Sequence, residues 1–146
     1  MTIMDIDAIQ KILPHRYPML LVDRIIECDY DSQRIVGIKN VSATDPFLQG
    51  HFPGFMCVPG VLQLEAMAQV GGVLMSTIFK MEGKIAYFLS IDKAKFRRVV
   101  RPGDVMRIEV TYQKARLKVS RMKGVITVDG ELASEAEMMF TYREES

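Results

Sequence analysis

Two cysteines and two histidines are all that this 146-residue chain has of either type. Cys28 and Cys57 are too few for a disulfide framework and lack metal-ligand spacing, so a reducing compartment fits. His15 and His51 have no carboxylate at the spacing a metal site needs, which speaks against a bound metal. No phosphate loop or dinucleotide fingerprint occurs either, so no cofactor is expected and cofactor-free acid/base chemistry is the class left open. An excess of charge of one sign is also missing. The 19 basic and 18 acidic side chains leave a formal net charge of +1, which gives no global reason to bind nucleic acid. The opening Met1-Thr2-Ile3-Met4-Asp5-Ile6-Asp7 carries two acids and no apolar run, so a signal peptide is not expected and the chain reads as cytoplasmic. Internal repeats and low-complexity segments are absent.

What is present is the composition of an ordinary globular protein, 49% hydrophobic and 25% charged. A chain of this length buries roughly 70% of its unfolded surface, enough for a core without staples, so residues 1–146 read as one domain. Ile6, Ile9, Ile12 and Leu13 recur at helical spacing behind a capping Asp5, predicting a short helix that stops at Pro14. Residues 20–28 and 34–41, rich in Ile and Val around Asp29, Asp31 and Ser32, predict a hairpin. Between 45 and 60, six Pro or Gly in 16 residues exclude any long regular element.

Residues 61–79 are the most apolar stretch, enough for a helix of about 28 Å. Gln63, Glu65 and Gln69 interrupt it and Gly71-Gly72 weakens it in isolation, so it predicts a buried helix and no membrane span. The remainder predicts strands over 84–100, over an alternating segment holding Ile108, Val110 and Tyr112, from about Val119, and over 131–142. Pro102-Gly103-Asp104 and Asp129-Gly130 supply turns. The class is α+β, with an antiparallel sheet wrapped around an apolar helix.

Glu65 stands out as the lone charge within that helix, because a buried carboxylate is costly unless neutral, partnered or open to a cavity. Val61, Glu65, Gln69 and Gly72 share one stripe, which could line a pocket where Gln69 and Gly72 touch a substrate. Glu65 could equally pair with a strand Lys or Arg, or sit in an exposed first turn favoured by the helix dipole. His51 lies in Gly50-His51-Phe52-Pro53-Gly54, 14 residues before Glu65, and is a candidate acid/base partner held by its Pro and Gly neighbours. His15 is expected to be a turn or capping residue without catalytic work, since nothing near it in sequence completes a set. Cys57 could act as a nucleophile, but a small buried thiol is the better reading.

Further patterns carry a family signature: Leu13-Pro14-His15-Arg16-Tyr17-Pro18 with Leu20-Leu21-Val22-Asp23, then the His51 loop, then Pro59-Gly60-Val61-Leu62 with Glu65-Ala66 and Ala68-Gln69. Tyr87-Phe88, Asp92-Lys93-Ala94-Lys95-Phe96-Arg97 and Pro102-Gly103-Asp104 continue it. Over essentially its whole length the sequence resembles the bacterial 3-hydroxyacyl-[acyl-carrier-protein] dehydratases of the hotdog fold, which act in fatty acid elongation. The resemblance implies that His51 removes the C2 proton and that Glu65, directly or through a water, protonates the leaving C3 hydroxyl. It implies that the thioester carbonyl lies near the Gly60 N–H and that Tyr87 gates an acyl tunnel.

The same resemblance implies a substrate carried on the phosphopantetheine arm of an acidic carrier protein. Lys93, Lys95 and Arg97, alternating on one strand face, would then form a docking collar with Arg98 and Arg101; by charge pattern alone they read as a solvated face. It implies a homodimer in which the histidine of one chain meets the glutamate of the other, and a trimer of dimers. One departure is Met56, where the family usually has proline, so the His51 loop is expected to be less rigid. The alternatives are a hotdog thioesterase, a dehydratase that also isomerises the double bond (relatives of that type usually carry aspartate at the Glu65 position), and a noncatalytic acyl-binding domain.

Overall fold

A computed structural model describes residues 1–80, 84–116 and 119–144. Helix α1, Ile6–Ile12, starts where Asp5 accepts the Ala8 N–H through its carboxylate at 3.0 Å, as the spacing predicted. Strands β1 (Arg24–Asp29) and β2 (Arg34–Asn40) form the expected hairpin. Asp29 shapes its turn by accepting the N–H groups of Asp31 and Ser32 at 3.0 and 3.3 Å. β1 begins later than the Ile/Val content suggests. Leu21 gives its N–H to the side-chain Oε1 of Gln69 at 2.8 Å, so the chain is tied to the Gln69 helix at Leu21 and joins β2 only from Asp23, whose N–H donates to Ile38 O at 2.8 Å.

The Pro/Gly-rich stretch holds a single 3-10 turn, Pro46–Leu48, and then releases the chain into α2, Gly60–Phe79. This helix ends on Lys80 in the left-handed region, φ +52°. Strands β3 (Lys84–Phe96), β4 (Val105–Arg116), β5 (Val119–Val128) and β6 (Glu131–Glu144) complete one antiparallel sheet in the order β1-β2-β4-β5-β6-β3.

The sheet packs on α2 because that helix is apolar nearly all round: Met67, Val70, Val73 and Leu74 are fully buried, each contributing about 1.5–3 kcal/mol. Gly71 lets the two layers approach, since a Cβ there would collide with Met122 of β5 and crowd Val110 of β4. By length and composition α2 could cross a membrane, but 61% of its apolar window is buried inside the fold, which marks it as the core helix. β3 is an outer strand of 13 residues, and Tyr87, Phe88, Leu89, Ile91 and Phe96 along it are exposed. A long apolar edge of this kind is a template for pairing with another chain.

Candidate active site

The stripe on α2 predicted from sequence is half real. Val61 points to solvent at 71% exposure, whereas Glu65, Ala68, Gln69, Gly72 and Ser76 form one wall of a groove of about 60 Å³. The residues around α1 close one side with Leu13, Pro14 and His15; Ala86 and Phe88 of β3 and Phe140 and Tyr142 of β6 close the other. Burial pushes the Tyr142 phenol above its ordinary value, so it stays a neutral hydroxyl in that wall.

The Glu65 side chain is 23% exposed, and its Oε2 accepts a hydrogen bond from Gln69 Nε2 at 3.1 Å. Gln69 has no freedom to flip, because its Oε1 is held by Leu21 N–H and its Nε2 also donates to Met19 O at 2.7 Å. Gln69 is 1% exposed, with both ends of its amide engaged, and its Nε2 holds Glu65 at the groove wall. Among the described residues no strand cation pairs with Glu65, which lies beyond the first turn of α2. His15 Nε2 stands 3.8 Å from the same Oε2, so the histidine expected to serve only as a turn residue is a neighbour of the carboxyl. Fifty residues of separation hid that contact, and no spacing rule could have found it.

His51 is held by its own loop. Its Nδ1 lies 3.0 Å from the Cys57 carbonyl, which can only accept, so Nδ1 carries the hydrogen and Nε2 is the basic nitrogen. The His51 carbonyl accepts the Cys57 N–H at 2.9 Å, and the ring stacks on Phe52 with centroids 4.1 Å apart. Cys57 Sγ is 3.5 Å from Nδ1, half-buried against the ring. The loop at Met56 is tied to the segment before Pro102: Arg101 Nε donates to the Met56 carbonyl at 3.1 Å, the Arg101 guanidinium covers the Phe55 ring at 4.2 Å, and Val58 N–H bonds Val100 O at 2.8 Å.

His51, Cys57, Gly60 and Gln63 line a second cavity with Phe96, Arg97 and Arg98. A Cβ on Gly60 would come within 2.8 Å of the Phe96 ring, so glycine is required there by a neighbouring aromatic, in addition to any ligand. His51 and Glu65 therefore open onto different cavities of the same chain.

The cation cluster differs from the predicted single face. A register shift lies between Asp92 and Lys95, Lys93 adopts φ +53°, and β3 ends at Phe96, so Lys93, Lys95 and Arg97 do not simply alternate. Arg97 and Arg98 border the His51 cavity; Arg98 donates to Val128 O at 3.1 Å and faces Glu131 at 3.4 Å. Tyr87 does not line the Glu65 groove, although its neighbours Ala86 and Phe88 do; it is 47% exposed, beneath the Arg143 guanidinium at 5.6 Å.

Residues 13–137 match the family model of the FabA-like domain. The sequence is 54% identical over 140 residues to a 3-hydroxyacyl-[acyl-carrier-protein] dehydratase FabZ from Pelotomaculum thermopropionicum, covering 96% of this chain and 99% of that one. It is 56% identical over 137 residues to the protein of the same name from Desulforamulus reducens, covering 94% and 96%. Among solved structures, the dehydratase heterocomplex ApeI:P from Xenorhabdus doucetiae superposes with a TM-score of 0.79 at 21% identity over 94% of this chain and 91% of that one. A hypothetical thioesterase with coenzyme A from Streptococcus pneumoniae gives 0.63 at 13% over 83% and 85%. These two likenesses carry the fold alone, and the fold is the hotdog.

Proposed function

The chain belongs to the FabA-like domain family, and from that premise we propose that it is a cytoplasmic dehydratase converting 3-hydroxyacyl groups on a carrier protein to trans-2-enoyl groups for fatty acid synthesis. The observation that carries the reading is the His51 imidazole, whose Nδ1–H is fixed on the Cys57 carbonyl so that Nε2 is presented as a base. Dehydration next to a thioester needs a base for the C2 proton, an acid for the C3 hydroxyl and a donor for the enolate-like oxygen. His51 Nε2 takes the C2 proton, the freed electron pair forms the C2=C3 bond, and the C3–O bond breaks as Glu65 gives its proton to the departing hydroxyl, releasing water. The imidazolium then loses its proton and Glu65 regains one, closing the cycle. The thioester carbonyl rests at the start of α2, where the Gly60 N–H has no partner within the helix and the dipole favours negative charge. Gly72 lets the acyl chain pass along the groove.

Because His51 and Glu65 open onto different cavities, the reading places each complete site between two copies, with β3 edges paired and three dimers grouped as a hexamer. Incubation with 3-hydroxybutyryl thioester and separation of the products tests the activity. The expected product is the conjugated trans-2-enoyl thioester; a shifted double bond, free acid or unchanged substrate would overturn the proposal.

The carrier protein docks on Lys93, Lys95, Arg97, Arg98 and Arg101, whose field steers an acidic partner toward the His51 cavity. Lys95→Glu with Arg97→Glu is expected to raise KM for carrier-bound substrate about tenfold or more, as lost steering does, while a short N-acetylcysteamine thioester is turned over with its former KM. Equal losses on the two substrates would refute docking at this patch.

A further inference from the structure

His15 reaches the Glu65 groove from the segment after α1, and three features fix what it offers. Its Nε2 is 3.8 Å from Glu65 Oε2. Its Nδ1 is buried and has no hydrogen-bond partner among the described residues. The backbone around it is clamped by Arg16, whose guanidinium donates to the carbonyls of His15 at 2.7 Å, Leu13 at 2.9 Å and Gln10 at 2.9 Å. Nε2 is thus the ring nitrogen placed to donate to Glu65, while Nδ1 faces no acceptor among the described residues.

Glu65 Oε2 is thus faced by two donors, Gln69 Nε2 at 3.1 Å and His15 Nε2 at 3.8 Å. A carboxylic acid has one protonated and one bare oxygen, and donors directed at Oε2 make that the bare one. We propose that His15 is a positioning residue for Glu65, which together with Gln69 confines the transferable proton to Oε1. The inference rests on the reading of Glu65 as the general acid. The 3.8 Å separation exceeds a hydrogen bond, but catalytic contacts are commonly long in a free enzyme and tighten when substrate fills the site. Among the described residues lining the groove, the other titratable group is Tyr142 across it on β6, while β3 contributes Ala86 and Phe88; Arg16, next to His15 on its own segment, is engaged with three carbonyls.

The test is a set of four variants assayed with a short 3-hydroxyacyl thioester, each checked for wild-type melting and oligomer size. His15→Ala is expected to lower kcat about tenfold, the worth of one donor on a charged or catalytic group, with KM within about twofold. His15→Gln, which keeps an N–H at similar reach and cannot titrate, is expected to recover most of that loss. In a Glu65→Gln background, adding His15→Ala is expected to cost less than about twofold, since a residue that acts through Glu65 has nothing left to orient. A loss confined to KM, a His15→Gln variant as slow as His15→Ala, or a full second loss in the Glu65→Gln background would overturn the inference. Strong dependence on Glu65 with unaltered kcat in His15→Ala would overturn it alone, whereas wild-type turnover by Glu65→Gln would overturn the acid assignment and this inference with it.

Discussion

Glu65→Gln is expected to keep the fold and to reduce dehydration at least about 100-fold, the lower end of what a positioned general acid contributes. The fold survives because the amide has the shape of the carboxyl and keeps an oxygen that can accept the Gln69 N–H donated now at 3.1 Å. The chemistry does not survive, because an amide has no acidic proton to give to the C3 hydroxyl. Enoyl-thioester formation, followed with crotonyl thioester as product standard, reads the loss, and circular dichroism with melting reads the fold. Turnover near that of the wild type in a folded variant would remove Glu65 from the mechanism. A variant that melts early would instead mean that the Glu65–Gln69–Leu21 chain of hydrogen bonds is structural first.

The second large effect is a rescue. His51→Asn and Glu65→Gln are each expected to be nearly inactive, yet refolding or co-expressing the two together is expected to restore about a quarter of wild-type activity, because random pairing in a two-fold dimer makes half the dimers mixed and each mixed dimer has one intact site of two. The intact site takes His51 from the Glu65→Gln chain and Glu65 from the His51→Asn chain. The motive is geometric: one chain puts His51 with Gly60, Arg97 and Arg98 in one cavity and Glu65 with Gly72, Phe88 and Tyr142 in another. A mixture that stays at the background of its two components would show that both residues of a site come from the same chain.

Much of the molecule was legible from local rules. Asp5 before a run of Ile at helical spacing yields α1, and the turn residues at Asp29 and at Asp129-Gly130 yield hairpins, because capping and turn geometry depend on a few neighbouring atoms. The apolar run of α2 carries its own burial, since a helix apolar nearly all round needs a sheet packed against it. The catalytic candidates were legible in a different way, as residues whose type disagrees with their surroundings: one carboxylate in an apolar helix and one histidine in a loop stiffened by Pro and Gly.

Where local rules erred, a distant partner was responsible. The Ile/Val content before Arg24 suggests strand, but Leu21 is captured by Gln69 across 48 residues. Strand alternation suggests one basic face, but the register shift of β3 against β6 breaks it. Likewise nothing beside Met56 shows that Arg101, 45 residues later, holds the Met56 carbonyl.

By itself the sequence determined the α+β class and the central buried helix and singled out His51 and Glu65 as candidates, because periodicity, turn chemistry and the cost of burying charge act over a few residues. Only the tertiary structure decided that Gln69 donates to Glu65, that His15 stands beside that carboxyl, that Gly60 makes room for Phe96, and that the two catalytic candidates open onto separate cavities. These follow from contacts between elements far apart in the chain, whose directions are set by packing the sheet on α2 and are not written in any local pattern.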